Sequence, residues 1–258
     1  RWQGINTVHK EGESFWTEKK GKVDSMALRM LDESFKTGDI GHKVSKTRVV
    51  DFDKSKEVAH DVSMRVFATG PEHRKSPFLE EMIKAVDGAK SEIYIDHMYF
   101  HPEKGLMDAF VRAANRGVKI KVITNGFDKK NSPKAHQAFG PRNQWNTRWL
   151  YRHVDPENRA NIEVYEFAPT QTTLHKKAMV VDRETVFAGS SNMGYKSLET
   201  MSDHELNFRA KSKTLAERTI RVFDEDKDHS NRVENPEKIG FFAMVSAALH
   251  RKSAWLIG

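Results

Sequence analysis

At 258 residues and 29.6 kDa the chain is long enough for one large domain or one and a half small ones. A net charge of +7 and a pI near 9.4 favour anionic partners, whether nucleic acid, an anionic bilayer or phosphorylated substrates. The absence of cysteine excludes disulfides and thiolate metal sites, and no uninterrupted apolar run reaches the roughly 18 residues of a membrane span.

Residues 1–62 are polar and lysine-rich, yet Trp2, Phe15, Trp16, Met26, Leu28, Leu31 and Phe35 are too many large apolar groups for a disordered tail. SMALRMLDESFK reads as an amphipathic helix, and KTGDIGHKVSK as the loop after it. From 63 to 126 the pattern is strand, helix, strand, helix, strand. SMRVFAT is a strand that turns at Gly70-Pro71, and a helix starts at Ser76-Pro77 with serine as its cap. EIYIDHMYF is a strand with Ile93, Ile95, His97 and Tyr99 on one side. A helix from Gly105 to Gly117 and the strand VKIKVIT follow. This alternation implies a layered α/β fold with parallel pairing. His97, Tyr99, Phe100 and His101 fall at a strand end, where such folds bind ligands.

Residues 125–161 look like an insertion between strands. There Trp145, Arg148, Trp149, Tyr151 and Arg152 interleave rings with cations, a pattern that stacks on bases or seats at a lipid headgroup interface. The plainer reading is a helix from about Gln144 to His153 that packs Trp145 and Trp149 on the core. NIEVYEF is the next strand. Near the C-terminus, Lys213 to Asp226 is a helix with Arg221-Val222-Phe223 on its apolar side. The apolar run from Ile239 to Leu249, interrupted by His250-Arg251-Lys252, is a helix closing the core or a segment lying in a bilayer interface.

The residues that carry chemistry lie between Thr172 and Asn192, in TTLHKKAMVVDRETVFAGSSN. LHKKAMVV reads as a strand, so His175 and Lys177, two apart, point the same way toward one bound group. Asp182 has the opposite parity and a structural task, capping the turn at the strand's exit. TVFAGSSN then places Ser190 and Asn192 on one face beside Gly189, whose missing side chain lets a ligand come close. An imidazole, an ammonium, a hydroxyl and an amide converging from adjacent strands suit phosphoryl oxygens. The set reads as a phosphodiester site.

His175, Lys177 and Asp182, followed by Gly189, Ser190, Asn192 and then Glu205 in SDHELNF, resemble the phospholipase D superfamily and its His-Lys-Asp signature. The resemblance extends from residue 63 to about 230. It implies a layered α-β-α sandwich with a mixed, largely parallel sheet. It also implies an enzyme: a phosphodiesterase or phosphatidyltransferase of the phospholipase D or cardiolipin synthase type, acting on phospholipid at a membrane surface without metal or other cofactor. The same comparison places Glu205 beside a histidine that it orients, and places a pocket-lining segment at His97 and Tyr99; the interleaved rings and cations add Trp149 as a further substrate contact.

The implied mechanism has one histidine attack phosphorus to form a phosphohistidine while a second protonates the leaving alcohol. Lys177, Ser190 and Asn192 would hold the equatorial oxygens. Such sites need two His-Lys-Asp sets, and this chain has one. His73-Arg74-Lys75 with Glu80 mimics a second, but it straddles a helix start. The second set is therefore expected from a half of the protein that precedes Arg1, or from a second copy in a homodimer. Gly4-Ile5-Asn6 fits the first of these, as the trailing end of an earlier motif; residues 1–62 would then be the tail of a first lobe, and 63–258 the lobe with one motif. Two other readings stay open: a nuclease of the same superfamily, and a non-catalytic module that binds membrane or nucleic acid. A chain beginning at Arg1 carries no readable leader, so the compartment is open, with a membrane-surface or secreted setting favoured.

Overall fold

The computed structural model describes residues 59, 62–73, 75–126, 134–167, 173–200 and 202–237, all within the second of two units, Ala59–Gly258. The expectations for the helix SMALRMLDESFK, for Gly4-Ile5-Asn6 and for the apolar run from Ile239 lie outside the described residues.

The chain alternates strands and helices. Strand β1 (Ser63–Thr69) leads to helix α1 (Pro77–Asp87), strand β2 (Glu92–His97), helix α2 (Lys104–Asn115) and strand β3 (Lys119–Asn125). Helix α3 (Lys134–His153), a short 3-10 turn (Pro156–Asn161) and strand β4 (Ile162–Phe167) follow. Strands β5 (Lys177–Val181) and β6 (Thr185–Gly189) form a hairpin. A π-helical turn (Tyr195–Glu199), β7 (Glu205–Lys211), α4 (Lys213–Asp228) and β8 (Ser230–Arg232) complete the order.

Local chemistry accounts for these boundaries. Ser76 caps α1 by accepting from the Leu79 amide at 3.2 Å, and Pro77 occupies the first turn, where its missing N–H costs nothing. Ser212 caps α4 in the same way through Leu215. Gly117, at φ +92°, takes the left-handed conformation just past α2 that glycine adopts without strain.

The eight strands form one sheet in the order β1-β7-β6-β5-β2-β3-β4-β8. It is mixed, as expected, but not largely parallel: only β2–β3 and β3–β4 pair in parallel, and the other five pairings are antiparallel. The parallel part is where helices α2 and α3 serve as crossovers. Hairpin and edge connections, which need no crossover, make the rest antiparallel.

Helices cover both faces. On one, α1 buries Phe78, Leu79, Met82 and Val86, and α2 buries Leu106, Ala109, Phe110 and Ala113, against Ile93, Ile95, Ile120, Val122, Met179 and Phe187. Each large apolar side chain so buried contributes about 1.5–3 kcal/mol before entropy is charged. On the other face, α4 lays Ala216, Ile220 and Phe223 on Tyr94, Ile123, Val180 and Val186. The apolar side of α4 is therefore this stripe, not Arg221-Val222-Phe223, since Val222 is exposed. Helix α3 begins ten residues before Gln144 and carries Pro141 inside it; Trp149 and Tyr151 pack against the core, while Trp145 is only partly buried.

β7 inverts the usual burial of apolar over polar side chains. Asn207 is buried at 1% exposure and Leu206 is 62% exposed, so the polar parity faces inward. With Met64 and Val66 of β1, Leu206 makes an apolar stripe on the sheet face that α4 leaves open. Among the described residues no helix is long and apolar enough to cross a membrane.

Candidate active site

Strand pairing assembles the site. β5 lies between β2 and β6, and its first residue, Lys177, stands opposite His97, the last residue of β2. β6 ends at Gly189 against Asn207 of β7, so Ser190 follows at the same edge of the sheet as Lys177 and His97. His175 stands two residues ahead of Lys177, outside the strand that was expected to include it. The strand end still brings the two side chains together. The Lys177 ammonium donates to the His175 carbonyl at 3.0 Å and lies 3.4 Å from each nitrogen of the His175 ring. Among the described residues Lys177 forms no ion pair with a carboxylate, which leaves its charge for a ligand.

Electrostatics set the protonation of this pair. Partial burial and then the Lys177 ammonium hold the His175 imidazole below its ordinary value, favouring the neutral ring that can act as a nucleophile. Burial lowers Lys177 too, and Glu205 opposes that shift. His97, beneath Lys177 and 4% exposed, is pushed down to about 3 by burial, with Lys177 adding to the effect. It is therefore a neutral part of the floor. The cavity beside Lys177, lined by His97, Gly189, Ser191 and Asn207 and by apolar side chains such as Met179 and Phe187, holds about 10 Å³, room for no more than one water.

The remaining expected residues divide. Ser190 is at the site, but its hydroxyl is committed: it donates to Glu205 Oε2 and accepts from the Leu206 amide at 2.9 Å. Glu205 also accepts from Ser197 Oγ at 2.6 Å, so its described partners are two serines and not a histidine. Asn192 is half-buried, with its Oδ1 unpartnered. Gly189 answers to the protein and not to a ligand: a Cβ there would stand 2.3 Å from Asn207 Oδ1 and 2.6 Å from the Leu206 carbonyl oxygen.

Asp182 is at the far end of β5, roughly 16 Å along the strand from Lys177 at about 3.3 Å per residue. It does not cap its own turn. Its carboxylate accepts from the Lys90, Ser91 and Glu92 amides and from Ser91 Oγ at 2.8–3.2 Å, fixing the entry of β2. Its value is lowered by those bonds in spite of partial burial. Asp182 thereby positions the pair of strands whose other ends carry His97 and Lys177.

Tyr99 lies beyond the end of β2, buried and stacked on His101 with ring centroids 5.9 Å apart. Trp149 is in another place. It stacks on His153 at 3.6 Å and lines a groove of about 310 Å³ with Trp145, Arg148 and Arg152, with no residue of the His175 cluster among the lining. Among the described residues no three His, Cys, Asp or Glu side chains converge as a metal centre would need.

Two sets of residues that sequence reasoning did not single out hold the site in place. Asn125 bonds the Leu174 amide and carbonyl at 3.1 and 2.9 Å and the Met98 carbonyl at 3.1 Å. Asn143 bonds the Phe100 amide at 3.0 Å and the Asn125 carbonyl at 2.9 Å. Both are at most 2% exposed, and together they clamp the chain just after His97 and just before His175. Behind the sheet, Lys176 pairs with Asp226 of α4 and with Asp96 at 3.4 Å. Burial first, with Asp226 beside it, raises the Asp96 carboxyl while Lys176 opposes. In sequence Asn125-Gly126 looks like a turn and Asp226 like helix-end charge, so neither gave a signal.

A family model for the cardiolipin synthase PLD-like domain matches residues 82–227, more than half of the chain. A cardiolipin synthase of Halalkalibacterium halodurans is 26% identical over 226 residues, covering 85% of this chain and 41% of the relative. Cardiolipin synthase C of Escherichia coli is 25% identical over 210 residues, 75% of this chain and 41% of the relative. The chain thus spans about two fifths of the length of these relatives. Among solved structures, phosphatidylserine synthase of Haemophilus influenzae superposes with a TM-score of 0.60 at 12% identity, over 76% of this chain and 46% of that one. Nuc from Salmonella typhimurium, a phospholipase D family member, gives 0.51 at 19% identity, over 68% of this chain and all of that one.

Proposed function

The chain belongs to the cardiolipin synthase PLD-like domain family, and from that premise we propose that it is one catalytic lobe of a phospholipid phosphatidyltransferase or phosphodiesterase. The observation that carries this reading is the Lys177 ammonium, 3.4 Å from the His175 ring and without a carboxylate partner among the described residues. A neutral imidazole beside an uncommitted cation at an open strand end suits a phosphodiester, whose phosphorus is attacked while its oxygens are held.

In the proposed reaction, a His175 ring nitrogen forms a bond to phosphorus and the bond to the headgroup oxygen breaks. A second imidazole gives the leaving oxygen its proton. An incoming alcohol, or water, then returns a proton to that second imidazole as its oxygen bonds to phosphorus and the P–N bond breaks. Lys177 stabilises the charge on the equatorial oxygens in both steps. The Asn192 amide is a further donor at the same edge, and Ser190 acts through Glu205. The second imidazole comes from another His-Lys-Asp set, in a further half of the protein or in a second copy of this chain.

The test compares headgroup release from phosphatidylglycerol vesicles with cleavage of single-stranded DNA, for wild type and His175→Ala. Lipid turnover that disappears in the variant supports the reading. Cleavage of DNA alone replaces it with a nuclease, and binding of either ligand unaffected by His175→Ala, without turnover, means an incomplete half or a non-catalytic module.

A further inference from the structure

The phosphodiester site leaves one cluster unused. Arg142 of α3 and His101, in the loop after β2, are 8% and 9% exposed. Arg142 Nη1 and both ring nitrogens of His101 are buried without a hydrogen-bond partner in the protein. Arg142 has no ion pair among the described residues. A guanidinium 8% exposed, with no carboxylate among the described residues and with Nη1 buried and unsatisfied, is an unfavourable arrangement, retained where something else completes it.

The cluster adjoins the site through backbone hydrogen bonds. The Met98 amide donates to the Lys176 carbonyl at 2.9 Å, and the His101 amide to the Met193 carbonyl at 3.0 Å. The 98–101 loop is thus tied to the residue between His175 and Lys177 on one side, and to the residue after Asn192 on the other. Arg142 meets this loop because its neighbour Asn143 bonds the Phe100 amide. Its charge reaches both the Tyr99 hydroxyl and the His101 ring, and Tyr99, parallel to His101 within 3°, fixes the plane of that ring.

We propose that Arg142 and His101 form a second anion subsite, which holds the phosphate of an incoming acceptor while the phosphatidyl group is on His175. This rests on the transfer reading given above. The guanidinium fork matches a phosphate bidentately, and the imidazole adds one N–H. Burial keeps His101 neutral, so the positive charge of the subsite is that of Arg142. An acceptor that carries a phosphate besides its attacking hydroxyl engages both subsites. Its oxygen bonds to phosphorus, the P–N bond to His175 breaks, and the hydroxyl proton passes to the second imidazole. Water has no group for Arg142, so the subsite favours transfer over hydrolysis.

Two arms test this on the full 258-residue chain. In the first, inorganic phosphate and glycerol 3-phosphate are titrated into Lys177→Met, which weakens the primary site, and into Lys177→Met with Arg142→Gln. Saturable binding in the first that falls about tenfold or more in the second is expected. No binding to Lys177→Met, or equal binding to both, overturns the subsite whatever the enzyme does. In the second arm, transfer from phosphatidylglycerol vesicles to lipid acceptor, to glycerol 3-phosphate and to glycerol is compared. Arg142→Gln lowers transfer to phosphate-bearing acceptors about tenfold relative to glycerol, with Arg142→Lys in between. A parallel loss on all acceptors means a structural role and refutes the proposal. A response confined to the lipid acceptor, or shared by glycerol 3-phosphate, tells headgroup from free phosphate. If wild type turns over no lipid, through failure of the transfer reading or through absence of the second His-Lys-Asp set, the binding arm alone decides the subsite.

Discussion

Lowering the pH from 7 to 5 should weaken the fold through one buried ring. The native state keeps His97 neutral, with its value pushed down to about 3 from the ordinary 6.5. The unfolded chain protonates it near 6.5 and so binds more protons below that pH. Stability is therefore fully present above about 6.5 and is lost as pH falls toward 3. Between pH 7 and 5 the unfolded ring gains most of its proton and the native ring almost none, a loss of about 2 kcal/mol at 1.36 kcal/mol per unit. Most carboxylates stay ionised over this interval, which isolates the histidine contribution; His101, also held neutral by burial, adds to it. Urea unfolding at both pH values, for wild type and His97→Gln, reads the difference. The glutamine variant should start less stable and lose about 2 kcal/mol less on acidification. Equal losses in the two proteins would refute the reasoning, because His97 would then not be the buried neutral group that it is in the structure.

Three further outcomes follow from the site's construction. Asp182→Ala removes the acceptor for three amides and a hydroxyl, and should cost about 1–3 kcal/mol in urea unfolding, less than the bond count suggests because the carboxylate still touches water. Gly189→Ala forces a Cβ to 2.6 Å from the Leu206 carbonyl oxygen, so a loss of at least about 2 kcal/mol should appear in thermal melts; an unchanged melt would mean that β6 and β7 are not so closely paired. The His175 ring, followed by NMR, should titrate below the ordinary imidazole range and move upward in Lys177→Met. A midpoint unaffected by that substitution would separate the two residues.

Much of the fold was legible because periodicity and capping agreed. β1, the Ser76-Pro77 start of α1, the end of α2 at Arg116-Gly117 and the run of parallel strands β2–β3–β4 follow from local signals. What failed was decided by tertiary context. The inward face of β7 is polar because Asn207 bonds Ser191, so the usual sense of burial is inverted and Leu206 is exposed. The sheet is mostly antiparallel because β5, β6 and β7 are joined without crossover helices. α3 continues through Pro141, which a sequence reading takes as a break.

The site divides along the same line. His175 and Lys177 were readable as part of an ordered set with Asp182, Gly189, Ser190 and Asn192, and their side chains meet although His175 lies outside the strand. The commitments of Ser190 to Glu205 and of Asp182 to the 90–92 amides span 15 and 90–92 residues, and spacing does not encode them. Asn125, Asn143 and the Asp96–Lys176–Asp226 cluster act by burial, and a buried asparagine looks like a turn residue until its neighbours are known.

The most direct measurement is to look for the covalent intermediate. The chain would be mixed with vesicles of ³²P-labelled phosphatidylglycerol, quenched in alkali, in which a phosphohistidine survives, and digested for peptide mapping. Label on the peptide that contains His175, absent from His175→Ala and much reduced in Lys177→Met, is the predicted result. Lipid turnover that persists in His175→Ala, or label that maps to a residue elsewhere in this chain, would contradict the central claim that His175 and Lys177 carry the chemistry of this lobe.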